Sequence, residues 1–145
     1  MFKRVLVALD GSETSTAALT RAMAIVKAFS ADLIVVTAYD STPIIGAGLD
    51  YGYMQTQYVE AGKTQAEKII KDARELVENS GLKADTRIIE SHRTWSGIID
   101  TATASKVDLI VMGSHGLSGL EKLITGSVTQ RVLQHTTLPV MVVRN

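Results

Sequence analysis

A chain of 145 residues, 46% of them hydrophobic, is long enough to bury a full core in one domain, taken as residues 1–145, and too apolar to be disordered. Its 15 basic and 15 acidic residues cancel. That excludes the strongly cationic surface a nucleic-acid binder or polybasic membrane anchor needs, but not a local positive potential for a small acidic ligand. The absence of cysteine removes thiol catalysis, disulfides and cysteine-held zinc or iron–sulfur centres.

Met1 leads directly into a strand-like segment, with no charged region and apolar signal core ahead of it. No apolar run nears the ~20 residues of a membrane helix. The expected setting is cytoplasmic, without membrane insertion. Apolar runs then alternate with segments of helical period, the pattern of a parallel α/β protein. The first strand is expected over Arg4 to Leu9. A helix follows from Glu13 to Phe29, with Ser12 as N-cap and Leu19, Ala22, Met23, Val26 and Phe29 on its buried face. Asp32 to Tyr39 is a nearly continuous apolar strand, suited to burial on both sides.

Residues 40 to 57 form the one irregular stretch, with three glycines and Pro43; its length suggests a lid, a binding loop or a mobile excursion. Tyr58 to Ser80 carries the next helical pattern, with Ala66, Ile69, Ile70, Ala73, Leu76 and Val77 inward and Gly81 where a C′ glycine belongs. The strand over Lys83 to Glu90 is polar enough for a sheet edge. A helix over Thr94 to Ser105 buries Trp95, Ile98, Ile99 and Ala102. The remaining elements are a strand at Leu109 to Gly113, a helix at Val128 to His135 and a strand at Leu138 to Arg144, where Pro139 favours an edge.

Five strands and four helices joined right-handedly make a doubly wound, Rossmann-like parallel sheet. Its unusual residues follow the first strand (Asp10-Gly11-Ser12) and the fourth (Gly113 onward), both at strand carboxyl ends. In open α/β sheets ligands bind where neighbouring strands send their helices to opposite faces. If the two clusters share one site, the strand order is 3-2-1-4-5.

The strongest chemical signal is Gly113-Ser114-His115-Gly116, nine residues, then Gly126-Ser127-Val128-Thr129. Glycines behind an apolar strand permit close backbone approach to a ligand. Ser127 reads as an N-cap, and amides at a helix start attract phosphate. Neither a Walker A lysine nor G-x-G-x-x-G is present. Gly62-Lys63-Thr64 imitates the end of a P-loop, but it sits where a helix is entered rather than after a strand. The paired acids and late lysine of a phosphoreceiver are missing, and no two histidines have metal-ligand spacing.

Val5-Leu6-Val7-Ala8-Leu9-Asp10-Gly11-Ser12 together with Val111-Met112-Gly113-Ser114-His115-Gly116 and Gly126-Ser127-Val128-Thr129 resembles the universal stress protein family. The later stretch is similar to its ATP-binding branch, marked by Gly-x2-Gly-x9-Gly-Ser/Thr. The resemblance covers essentially the whole chain. It implies an adenine nucleotide alpha hydrolase-like fold and a dimer, which the apolar edge of the last strand, Val140 to Val143, places at that strand because it needs cover. It further implies ATP as ligand, with AMP or ADP as alternatives and Mg2+ or Mn2+ carried on the phosphates.

By resemblance, Asp10 lies beside adenine, Ala38 offers backbone contacts to the base, and Met112 and Gly113 line base and ribose. His115 and Gly116 meet the phosphates, joined by Gly126, Ser127, Val128 and Thr129. From the residues alone Asp10 has two readings, a helix cap or a base contact. Lys122 is either solvated or in reach of the terminal phosphates. Two departures stand out: Ala8 occupies a place where proline is frequent, and Ser91-His92-Arg93-Thr94-Trp95 lacks the usual glycine. The expected function is that of an ATP-binding regulatory or stress-response switch read by a protein partner, with at most slow hydrolysis, no dedicated catalytic residue and no protein metal site. A nucleotide-free dimerisation or adaptor module is the alternative from another class, and a true phosphotransferase or ATPase a third.

Overall fold

The computed structural model describes residues 1–41, 51–115 and 126–144. In chain order its elements are β1 (Arg4–Leu9), α1 (Glu13–Phe29), β2 (Asp32–Asp40), α2 (Tyr51–Asn79), β3 (Asp85–Ser91), α3 (Thr94–Ala104), β4 (Leu109–Gly113), α4 (Ser127–His135) and β5 (Val140–Val143). All strand pairs are parallel and the sheet order is β3-β2-β1-β4-β5. The order inferred from the two clusters is the one observed.

Strand alternation divides the core. Val5, Val7, Leu9, Val35 and Val111 face α1 and α2, whose Leu19, Ala22, Val26, Ile70, Ala73 and Val77 complete that layer. Leu6, Ala8, Ile34, Val36, Ile110 and Met112 face the opposite way, onto Ile98 and Ala102 of α3 and Val132 of α4. The three central strands are therefore covered on both sides, which is why they read as unbroken apolar runs. The polar β3 and the proline-led β5 are the edges.

Ser12 caps α1 as expected, its Oγ accepting from the Ser15 amide at 3.2 Å. At the end of α2, Gly81 takes φ +76°; its amide donates to the Glu78 carbonyl and the Leu82 amide to the Val77 carbonyl, closing a Schellman motif. Phe29 is not on the buried face. It is 45% exposed and meets Phe2 edge to face, with ring centroids 5.5 Å apart.

The main difference from the sequence pattern lies before Tyr58. The helix begins at Tyr51, and β2 runs on through Asp40, paired with Ser91. Residues 52–54 and 56–58 are exposed, so no apolar stripe marks these first two turns. Local bonds support them instead, Thr56 Oγ1 to the Gly52 carbonyl (2.9 Å) and Gln57 Nε2 to Tyr53 Oη (2.7 Å). The rest of the expected 40–57 loop, 42–50, lies outside the described residues. Among those described, no helix is long and apolar enough to cross a membrane.

Candidate functional site

β1 and β4 are neighbours, and the helices that follow them leave to opposite faces of the sheet. A cleft opens over their carboxyl ends. Its floor is Ala8, Leu9, Ala38, Ile98 and Met112; Asp10, Gly113 and His115 stand at the strand tips; Gly126, Ser127, Val128 and Thr129 form the wall from α4. Ser15 and Thr94, from the starts of α1 and α3, close it. Nine of the ten residues assigned to the site from sequence thus surround one cavity, and the tenth, Gly116, lies outside the described residues, as does Lys122.

The space at Gly113 is taken by protein. A Cβ there would lie 2.5 Å from Thr14 Oγ1, 2.6 Å from the Thr14 carbonyl carbon and 2.7 Å from the Ser15 amide nitrogen. The close approach this glycine permits is thus the first turn of α1 against β4. Hydroxyls lace the contact. Thr14 Oγ1 donates to the His115 carbonyl at 2.6 Å and accepts from the His115 amide at 3.3 Å, and Ser12 Oγ donates to the same carbonyl at 3.1 Å.

Ser114, fully buried, joins three segments, the end of β4, β5 and the start of α4. Its amide donates to the Val143 carbonyl of β5 (2.8 Å), its carbonyl accepts from the Gly126 amide (2.5 Å), and its hydroxyl bonds His115 Nδ1 (2.8 Å). With Nδ1 engaged, Nε2 is the ring nitrogen that can reach a ligand. Across the cleft Thr129 Oγ1 donates to the Gly113 carbonyl at 2.8 Å.

The N-cap of α4 is Gly126, not Ser127. Gly126 has φ −65° and ψ 159°, and the first helical bond runs from the Gln130 amide to its carbonyl (2.9 Å). The Gly126 amide is spent on Ser114. The amides of Ser127, Val128 and Thr129 are the ones an α-helix leaves without intrahelical acceptors, and they belong to residues that line the cleft.

Asp10 Oδ1 accepts from the Ser12 amide at 2.9 Å, turning the chain into α1 while Ser12 itself caps the helix. Asp10 is exposed and lines the cleft, so its turn-forming role leaves the second carboxylate oxygen for a ligand. The described lining carries this carboxylate and one imidazole but no lysine or arginine. No group of three His, Asp or Glu converges among the described residues. Beside the cleft, the Tyr39 phenol donates to Glu90 Oε2 at 3.2 Å; partial desolvation, then that bond and the Glu90 charge, raise its pKa.

Sequence reasoning missed the hydroxyl lacing. The run Ser12, Thr14, Ser15, Thr16 at a helix start was its signal, because three of those four side chains are buried where an amphipathic pattern predicts apolar ones. Trp95, assigned to the core, is half-buried and stacks on His135 with centroids 4.3 Å apart, tying α3 to α4 behind the cleft.

A model of the universal stress protein family matches residues 1–144. Universal stress protein MJ0531 of Methanocaldococcus jannaschii is 31% identical over 144 residues, spanning 99% of this chain and 83% of that protein. The solved structure of hypothetical protein MJ0577 superposes with a TM-score of 0.85 at 26% identity, over 100% of this chain and 97% of the other. A universal stress protein solved in complex with cAMP superposes with a TM-score of 0.71 at 25% identity, over 99% and 97%.

Proposed function

Because this chain belongs to the universal stress protein family, we propose that the cleft over β1 and β4 binds an adenine nucleotide, ATP foremost with AMP or ADP as alternatives, and that the protein works in the cytoplasm as a nucleotide-dependent regulatory switch. The observation that carries this reading is the pairing, in one cleft, of an apolar floor with the amide-bearing start of α4. The cAMP complex of a relative supports the adenine part.

The cavity measures about 130 Å³, comparable to the ~150 Å³ engineered cavity that holds a benzene ring. It suits a base, with ribose and phosphates running out along α4. Energetics agree. Each helix-end contact contributes about 0.3–1 kcal/mol, up to ~2 when partly buried. Micromolar affinity needs about 8 kcal/mol, so burial of the ring, roughly 4 kcal/mol for 150 Å² at 25 cal/mol per Å², supplies the larger share. The described residues do not themselves form a site for a divalent ion, so Mg2+ or Mn2+ would ride on the phosphate oxygens and water. Ser114 and His115 are bonded, but the hydroxyl is sealed from the cleft. It orients the ring rather than acting as a nucleophile, and the proposed switch carries at most slow hydrolysis.

β5 ends the sheet with Met141 37% exposed and one row of backbone groups unpaired within the sheet, which favours a homodimer through Val140 to Val143. One observation favours a nucleotide-free adaptor instead: the open space at Gly113 and the Gly126 amide are both consumed by internal packing. Calorimetry with ATP, AMP and GTP separates the two, since an adaptor shows no saturable binding. Gly126→Val is the sharper probe. Its φ of −65° suits valine, so the backbone imposes no strain, and circular dichroism confirms the fold before binding is read; the branched side chain at the start of α4 is expected to block the phosphate path and abolish ATP binding. Unchanged affinity refutes this placement.

A further inference from the structure

A second cleft, about 370 Å³, lies between β2 and α2. It shares Asp10 and Ala38 with the first, so the two meet over the tips of β1 and β2. Tyr39 and Tyr58 line it, with Ala61 and Gly62 of α2 presenting little bulk. The first cleft lies toward α3 and α4 and the second toward α2, and Asp10 and Ala38 are their common rim at the carboxyl edge of the sheet.

We infer that the second cleft receives a planar apolar substituent on the outer edge of the bound base, so that the site accepts adenine nucleotides extended at N6. The inference rests on the reading above, and direction follows from topology. Phosphates held by the start of α4 lie on the β4 side. β2 is two strands away, about 9.6 Å at 4.8 Å per strand, close to the span of a nucleoside. The base therefore ends at Ala38 and Asp10, and because adenine joins ribose through N9, its outermost group there is the N6 amine. A substituent on N6 leaves the first cleft where the second begins. The ~150 Å³ that holds a benzene ring elsewhere fits within the space available, and two tyrosine rings give it aromatic walls.

Gly62 provides the test. A Cβ there would sit 3.4 Å from the Tyr39 ring, ordinary contact, and the glycine is inside α2, so Gly62→Leu fills the cleft while favouring the helix. Calorimetry compares AMP with N6-benzyl-AMP on the full chain and on this variant. The original chain binds both with similar affinity. Gly62→Leu keeps its affinity for AMP but loses about tenfold or more for the benzyl analogue, equivalent to about 1.4 kcal/mol. Rejection of the analogue by the original chain overturns the inference and leaves the nucleotide site standing. So does an analogue that binds the variant undiminished, or a variant that loses both ligands equally. No binding of either ligand by the original chain removes both.

Discussion

Gly113→Ala isolates the contact on which the cleft is built. The position is not in the left-handed region, so alanine costs no backbone strain and the penalty is steric. The new methyl would sit 2.5–2.7 Å from Thr14 Oγ1, the Thr14 carbonyl carbon and the Ser15 amide nitrogen, where ordinary contact begins near 3.4 Å. The first turn of α1 must retreat by about 0.8 Å. That stretches the 2.6 Å bond from Thr14 to the His115 carbonyl beyond useful length and weakens the Ser12 bond to the same oxygen. Overpacking costs about 1–3 kcal/mol and each lost buried hydrogen bond about 1 kcal/mol. The reduced freedom of the unfolded chain returns about 0.4–1 kcal/mol. The net loss is about 1–4 kcal/mol, or roughly 3–13 °C in Tm for a domain this size.

Urea denaturation followed by circular dichroism measures this loss, with an unchanged m value showing that the same surface is exposed on unfolding. A second variant separates backbone from side chain. Because two of the three close contacts are backbone atoms, adding Thr14→Ala to Gly113→Ala does not restore stability. A loss below about 0.5 kcal/mol, or rescue by the second substitution, refutes the packing argument.

Gly97→Ala tests a second close approach, of α3 on β3. Its Cβ would meet Ile89 Cγ2 at 2.7 Å and Ser91 Cβ at 3.1 Å, atoms held close to the β3 backbone by a stiff β-branched side chain and by Cβ geometry, so overpacking of about 1–3 kcal/mol outweighs the roughly 0.5–1 kcal/mol helix gain of alanine and denaturation should show a net loss of up to about 2 kcal/mol. Ser12→Ala removes both the cap of α1 and a bond to the His115 carbonyl and should cost about 1–2 kcal/mol by the same measurement. Tyr39 has a raised pKa in the folded chain, so its contribution to stability is complete below the ordinary value of 10.0 and is lost as pH rises through the raised one. A plot of stability against pH above 10 should fall less for Tyr39→Phe than for the original chain.

Sheet order was legible because two chemically unusual turns, about a hundred residues apart in sequence, can line one cleft when β1 and β4 are neighbours, and short right-handed crossovers then lead to 3-2-1-4-5; periodicity alone could not have ordered the strands. Cleft-lining positions were legible for a related reason, since Gly113, His115 and Thr129 follow directly from a strand end and a helix start. What stayed hidden depends on distance between segments. Nothing local says that Gly113 makes room for Thr14, that the Gly126 amide is already taken by Ser114, or that Gly126 displaces Ser127 as the cap. The extension of α2 to Tyr51 was hidden for the opposite reason: its first turns bury too little to leave a stripe.

The hidden bonds also say what would let a neutral chain present the proposed anion site without a lysine or arginine among its described lining residues. At the seam between β1 and β4 both carbonyls and amides are released by the ending strand and the starting helix. The carbonyls are satisfied from within: His115 by Ser12 and Thr14, Gly113 by Thr129, and Ser114 by Gly126. The amides of Ser127, Val128 and Thr129 have no matching intrahelical acceptor. Internal hydroxyls thus cover the Gly113 and His115 carbonyls and one amide covers that of Ser114, which leaves the three α4 amides as donors, and the positive end of the α4 dipole adds to them. The serines and threonines that looked like ordinary helix-start residues are what gives the cleft its donor character.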